Sequence, residues 1–155
     1  MKENNESNRA ITNIRAFNAP REVVFNAWAD PEQLMQWWGP NGFTNTFHEF
    51  DFKPGGTWKF TMHSPEGQDF LNTCIFEKIE KPERIVFQHL LPMHKFQLTA
   101  SFEVLGGKTK LTFHQVFETV EECERIKKYV VEANEQNLDR LEKVLSNNLN
   151  KNKTL

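Results

Sequence analysis

The stretch that decides the fold spans residues 117–149, FETVEECERIKKYVVEANEQNLDRLEKVLSNNL. Its apolar residues recur every three or four positions, which is the spacing of one helical face. They are Cys123, Ile126, Val130, Ala133, Leu138, Leu141 and Leu145. Thr119 is suited to cap the N-terminus, with Glu122 three residues later as its capping-box partner. The pattern therefore predicts a helix over 120–149, roughly 40 Å long at 1.5 Å per residue.

The composition limits the classes of protein to consider. The chain has 155 residues, of which 38% are hydrophobic and 26% charged, and its net charge is −2. These values predict one soluble domain with no overall field to attract nucleic acid or an anionic membrane. Cys74 and Cys123 form no metal motif, so we expect buried free thiols in a reducing cytoplasm. We expect no signal peptide, and no apolar run approaches the roughly 20 residues of a membrane span.

The first third of the chain predicts one strand and two short helices. Alternating apolar residues favour a strand over 10–17, and Pro20 is placed to begin a helix. Asp30 is a candidate N-cap for a second helix, with Pro31 at its first position. Gly39 and the proline after it should end this helix.

From residue 43 the hydrophobic period changes to two. It predicts strands over 43–52, 56–63, 68–79, 84–91, 95–105 and 108–117. The links are too short for crossover helices, so neighbouring strands should be antiparallel. A sheet must bury one face, and we expect it to curve around the final helix, with packed core or a ligand cavity between them. The predicted single domain covers 10–146, flanked by disordered tails over 1–9 and 147–155.

Alternation along the strands predicts which side chains face the final helix. The inward set is Trp58, Phe60, Met62, Ile85, Phe87, His89, Leu91, Phe96, Leu98, Ala100, Phe102, Val104, Leu111, Phe113, Gln115 and Phe117. His89 and Gln115 interrupt this apolar face, as Asn134 and Asn137 interrupt that of the helix. Because buried polar groups need partners, these four either bond one another or meet a ligand.

Two residues, His89 and Trp37, each allow two interpretations. His89 could act as an acid or base near neutral pH, or be a satisfied core histidine. Trp37 could form a lid over the cavity or belong to the core, whereas Trp38 is better explained by packing at the helix end. No zinc motif, phosphate-binding glycine loop or nucleophile elbow occurs, so the sequence predicts no metal and no cofactor.

A set of short segments carries a family resemblance over roughly residues 10–146. They are APREVVF at 19–25, AW at 27–28, DPE at 30–32, WWGP at 37–40, DFKPGGTW at 51–58, PEG at 65–67, PERIV at 82–86 and LDRL at 138–141. In this order they resemble the bacterial branch of the activator of heat-shock protein 90 ATPase homologue 1-like family, within the START-like (SRPBCC) helix-grip superfamily.

The resemblance implies an α+β fold, in which a curved six- or seven-stranded antiparallel sheet surrounds a long C-terminal helix. Superfamily relatives bind lipids, polyketides or hormones in the intervening cavity, and some are aromatases or cyclases. The eukaryotic namesake stimulates a chaperone ATPase. Family members often carry Gly-Trp where this chain has Ala133 and Asn134, a departure that we expect to enlarge the cavity or make it more polar.

The leading hypothesis is a non-enzymatic binder of a small hydrophobic ligand, aromatic or lipid-like. The candidate ligand-binding residues are Trp37, Trp58, Phe60, Phe87, His89, Phe102, Phe113, Gln115, Asn134 and Asn137. The alternatives are a protein-interaction module acting on a chaperone of the heat-shock protein 90 type, and a cyclase or aromatase that uses His89. We expect a monomer or weak homodimer that does not bind nucleic acid.

Overall fold

The fold is described by a computed structural model that covers residues 6–153. A 3-10 helix at Glu6–Arg9 is followed by ten longer elements. In chain order these are β1 (Ala10–Phe17), α1 (Arg21–Ala29), α2 (Pro31–Trp37), β2 (Thr44–Phe50), β3 (Thr57–His63), β4 (Asp69–Glu80), β5 (Arg84–Leu91), β6 (Phe96–Leu105), β7 (Lys108–Phe117) and α3 (Val120–Lys153).

The seven strands form one antiparallel sheet in the order β1-β7-β6-β5-β4-β3-β2. Strands β2 to β7 follow one another as neighbours, as their short links predict. β1 joins the far edge by pairing with β7, from Ala10 opposite Val116 to Phe17 opposite Thr109. α3 packs on one face of the sheet through Leu138, Leu141 and Leu145. This arrangement confirms the predicted helix-grip architecture.

An aromatic core fills the end of the sheet that α1 and α2 cover. The Trp28 and Trp37 rings meet edge to face at 5.0 Å between centroids, and Trp58 stacks on Phe60 at 4.4 Å. Such pairs add about 0.5–1.5 kcal/mol each beyond the area that they bury. Because these rings occupy one end of the space between sheet and helix, any open volume must lie at the other end.

Side-chain caps are present at the N-termini of α2 and α3, at the residues that the sequence predicts. Asp30 Oδ1 accepts from the backbone N–H of Glu32 at 3.0 Å, and Thr119 Oγ1 accepts from that of Glu122 at 3.1 Å. In a capping box the Glu122 carboxylate would accept a hydrogen bond from the backbone N–H of Thr119. Here it accepts one from His94 Nδ1 at 2.6 Å instead. A tertiary partner therefore replaces the local one in the predicted capping box.

Several boundaries and orientations differ from the prediction. A 3-10 helix at Glu6–Arg9 and the end of α3 at Lys153 extend the described elements past the predicted domain bounds of 10 and 146. Residues 1–5 and 154–155 lie outside the described part. Leu91 and Val104 were expected to face inward, but each is 57% exposed. Leu91 follows a bulge that breaks the alternation, and Val104 belongs to the exposed tip of the β6–β7 hairpin.

The turn before β3 requires glycine at position 56. A Cβ on Gly56 would lie 2.0 Å from the carbonyl oxygen of Asp51, whereas a Cβ on Gly107 would meet nothing within 4 Å. We therefore expect Gly56→Ala to lower the free energy of unfolding by roughly 1–3 kcal/mol, because the turn must move to relieve the overlap. Urea denaturation checks this result against Gly107→Ala as the control. Equal stability of the two variants would contradict the steric argument.

Candidate functional site

A cavity of about 260 Å³ lies between the sheet and the N-terminal half of α3. Side chains of β3 to β7 form one wall, and α3 forms the opposite wall. The loops after α2 and between β5 and β6 close the sides. The lining residues are Trp38, Gly39, Pro40, Phe43, Met62, Phe70, Asn72, His89, Pro92, Met93, His94, Phe96, Leu98, Phe113, Gln115, Tyr129, Val130, Ala133, Asn134 and Asn137.

The loop that follows α2 is held against α3 by one guanidinium group. Arg140 donates hydrogen bonds of 2.8–3.2 Å to five backbone carbonyl oxygens. These belong to Gln36, Trp38, Gly39, Pro40 and Phe43. Burial lowers the pKa of Arg140 from its ordinary value. Arg140 belongs to the LDRL segment at 138–141, but its role could not be predicted, because its partners are backbone atoms about 100 positions away.

Asn137, one turn before Arg140, fixes the same loop from the cavity side. Its Nδ2 donates to the carbonyl oxygen of Trp37 at 2.7 Å, and its Oδ1 accepts from the N–H of Gly39 at 3.2 Å. Gly39 has a φ of +101°, a conformation that favours glycine. The side chain of Asn137 is therefore a positioning group for the cavity wall.

A second polar group in the wall is a chain of three amides. Asn134 Nδ2 donates to Asn13 Oδ1 at 3.0 Å and to Gln115 Oε1 at 2.5 Å. Asn13 donates in turn to the Glu135 carboxylate at 2.8 Å. Mutual hydrogen bonding, one of the two alternatives considered for Asn134 and Gln115, is thus present, although both residues also line the cavity.

His89 is buried in the cavity wall with both ring nitrogens engaged. Nδ1 donates to the carbonyl oxygen of His94 at 2.7 Å, and Nε2 lies 2.8 Å from Asn72 Oδ1. Burial lowers the pKa of His89, which favours the neutral ring. Asn72 Oδ1 faces Nε2 of the ring, and Asn72 Nδ2 donates to the carbonyl oxygen of Phe70 at 3.0 Å. Neither ring nitrogen is then left for a ligand.

The cavity opens between α3 and the β5–β6 loop. Met93 and Tyr129 line it and are 76% and 66% exposed, which places them at its mouth. The hydrogen bond from His94 to Glu122 ties the β5–β6 loop to the first turn of α3. Entry to the cavity is consequently bordered by an exposed methionine, an exposed tyrosine and this polar link.

The structure divides the ten predicted ligand-binding residues into two equal sets. His89, Phe113, Gln115, Asn134 and Asn137 line the cavity. The other five do not, which corrects their expected position: Trp37, Trp58, Phe60, Phe87 and Phe102. They lie in the aromatic core, because strand alternation specifies a face of the sheet and not the distance along it.

The two neighbouring tryptophans differ in their relation to the cavity. Trp37 is fully buried, and its Nε1 donates to the carbonyl oxygen of Ala27 at 3.1 Å, so it belongs to the core and is not a lid. Trp38 lines the cavity while its ring packs against Trp58 at 5.3 Å between centroids. Trp38 therefore joins the core to the cavity, which sequence reasoning missed.

A family profile described as "Activator of Hsp90 ATPase homolog 1-like protein" matches residues 18–146. The chain belongs to the activator of Hsp90 ATPase homolog 1-like family. Among curated protein sequences, none is significantly similar to this family member.

Solved structures of bacterial proteins share the fold of this family member. One from Arthrobacter aurescens has a TM-score of 0.85 at 25% identity, covering 92% of this chain and 89% of that one. One from Nitrosomonas europaea has a TM-score of 0.84 at 18% identity, with 92% and 97% covered. The AHSA1 protein from Silicibacter pomeroyi has a TM-score of 0.70 at 23% identity, with 88% and 97% covered.

Within residues 6–153, no three metal-ligating side chains come together. Over the same residues, none of the helices combines the length and apolar character needed to cross a bilayer.

Replacing Arg140 tests the role of the guanidinium in this family member. Lysine keeps the charge but has one nitrogen, which cannot reach five carbonyl oxygens in different directions. We expect Arg140→Lys to lower the free energy of unfolding by about 2–4 kcal/mol, since several charge-assisted hydrogen bonds are lost. Arg84→Lys, at an exposed ion pair with Glu80, should cost less than about 0.5 kcal/mol. Urea denaturation measures both, and a neutral Arg140→Lys would contradict the proposed role.

Stability should depend on pH through His89. Its folded pKa is lowered, so below the unfolded value of about 6.5 the unfolded chain binds a proton that the folded chain does not. The free energy of unfolding should fall as pH drops through this range, with a limiting slope of about 1.4 kcal/mol per pH unit. We expect His89→Gln to remove this part of the dependence, measured by urea denaturation between pH 8 and 5.5.

The matched control is His48→Gln, which replaces an exposed imidazole that bonds to Thr61. Its stability should follow the wild-type dependence on pH. If His89→Gln lost stability with acidification as steeply as the wild type, the assigned shift in the pKa of His89 would be wrong.

Proposed function

We propose that this family member binds a small, mostly apolar molecule in the cavity between its sheet and α3. The supporting observation is the cavity itself, a space of about 260 Å³ beside a tightly filled aromatic core. Apolar side chains supply most of its lining, and a few amides and imidazoles interrupt them. This combination is typical of sites for small molecules.

The volume of the cavity indicates the size of the ligand. An apolar cavity of about 150 Å³ is enough to bind benzene, whereas clefts for drug-sized molecules range from about 300 to 1,000 Å³. A volume of 260 Å³ lies between these cases. It favours a compact molecule of one or two rings over a long lipid chain held entirely inside.

The lining indicates what would hold such a molecule. Phe96, Leu98, Phe113 and Val130 offer dispersion contacts and burial. A two-ring ligand that buries roughly 300 Å² would gain about 7.5 kcal/mol at 25 cal/mol per Å². The cost of association reduces this gain, so we expect dissociation constants from micromolar to submillimolar.

The two alternatives differ in their support. Modulation of a chaperone of the heat-shock protein 90 type rests on the family alone and stays a prediction. A cyclase or aromatase using His89 is disfavoured by geometry, because Asn72 and His94 engage both ring nitrogens. Ligand binding therefore remains the function with the most direct support.

Filling the cavity tests this proposal. Ala133 projects from α3 into the cavity, so Ala133→Phe should occupy it and weaken binding of indane, a two-ring hydrocarbon, at least tenfold. Glu124→Phe places the same ring on the exposed side of α3 and should leave binding unchanged. Isothermal titration calorimetry measures the affinities, and thermal unfolding verifies that both variants are folded. Absence of indane binding to the wild type, or equal binding to Ala133→Phe, would refute the proposal.

A further inference from the structure

The hydrogen-bond partners of Asn13 fix the orientation of the three amides in the cavity wall, that is, which way each oxygen and nitrogen points. Asn13 Nδ2 donates to the carbonyl oxygen of Val131 at 3.3 Å and to Oε2 of Glu135 at 2.8 Å. Both partners are atoms that accept hydrogen bonds. The amide of Asn13 must therefore point its nitrogen toward α3 residues 131 and 135, and its oxygen toward Asn134.

This orientation fixes the next two amides. Asn134 has to donate to the oxygen of Asn13, so Nδ2 is the atom that faces it, at 3.0 Å. The same Nδ2 donates its second hydrogen to Gln115 at 2.5 Å. Because Asn134 is the donor, Gln115 must present its oxygen to Asn134. The nitrogen of Gln115 is consequently turned away from the chain.

Gln115 Nε2 has no hydrogen-bond partner among the residues that the structure describes, and this atom keeps some accessible surface. The side chain is only 5% exposed and lines the cavity, where Leu98 and Phe113 are among its neighbours. An N–H₂ group in such surroundings gains free energy when a ligand supplies an acceptor. A purely apolar ligand would leave this donor without an acceptor.

The charges around the cavity indicate which acceptor fits. None of its lining residues is a lysine or arginine, and the Arg140 guanidinium is bonded to five backbone carbonyl oxygens. A carboxylate would lose its hydration there without gaining a counter-charge. A neutral carbonyl oxygen needs only a hydrogen-bond donor, and Gln115 supplies one.

We infer that the cavity selects neutral carbonyl compounds, ketones or amides on a one- or two-ring apolar body, through a hydrogen bond from Gln115 Nε2. This inference rests on the proposed function and adds the chemical class of the ligand. Gln115 is then a specificity-determining residue, and its selectivity depends on Asn13 and Asn134, which hold its oxygen.

The test compares indane with 1-indanone, which replaces one methylene of the same skeleton by a carbonyl. We expect the ratio of their association constants, indanone over indane, to fall about five- to tenfold in Gln115→Met, since the hydrogen bond is lost while the volume is kept. Gln97→Met changes a glutamine on the opposite face of the sheet, whose Nε2 donates to Glu77, and should preserve the wild-type ratio. Isothermal titration calorimetry gives both constants.

A measurement on the wild type keeps the inference testable even if Gln115→Met does not fold. The infrared C=O stretch of bound 1-indanone should lie below its position in cyclohexane. Binding of both probes with an unshifted stretch, or with the same ratio in Gln115→Met, would overturn the carbonyl inference and leave the proposed function standing. Failure of both probes to bind the wild type would overturn the proposed function and this inference with it.

Discussion

The guanidinium of Arg140 satisfies the carbonyl oxygens at the point where α2 ends and the chain turns toward β2. A helix leaves its last carbonyl groups without internal partners, and a cation near that end also interacts favourably with the helix dipole. The loop that is held in this way contributes Trp38, Gly39 and Pro40 to the cavity wall. The volume of the cavity therefore depends on a charge that belongs to α3 and serves the backbone of a distant segment.

Burial changes along α3 and locates the cavity. In the C-terminal half, Leu138 and Leu141 are inaccessible to solvent and pack in the main core. In the N-terminal half, Val130 and Ala133 are only half-buried and border the open space. The aromatic residues of α1, α2 and the sheet fill the first region and leave the second. The helix thus acts both as core and as cavity wall, in successive segments.

Periodicity predicted the elements well because it reports local geometry. The strands over 84–91 and 108–117 and the start of α3 agree with the structure, since their alternation and capping residues are continuous in sequence. The position of a side chain along the length of the sheet could not be predicted from this alternation. Trp58 and Met62 lie on one face of β3, yet Met62 lines the cavity and Trp58 is core. That difference depends on where α1 and α2 end, which is a tertiary property.

The four candidate polar residues line the cavity, but the full set of their hydrogen-bond partners could not be predicted. Gln115 and Asn134 stood out because they interrupt apolar faces. Their third partner, Asn13, lies on a strand that pairs with β7 at the far edge of the sheet, and its register could not be read from the sequence. Arg140 was missed for a related reason, because backbone carbonyl oxygens leave no residue-specific signal.

The amide chain connects two residues of the cavity lining, Gln115 and Asn134, to residues outside that lining. Asn13 and Glu135 do not line the cavity, and Glu135 is partly exposed and paired with Arg15. Nevertheless, they decide which end of Gln115 points inward. The inferred selectivity of Gln115 is therefore sensitive to substitutions outside the cavity lining, at Asn13 and at the partly exposed Glu135.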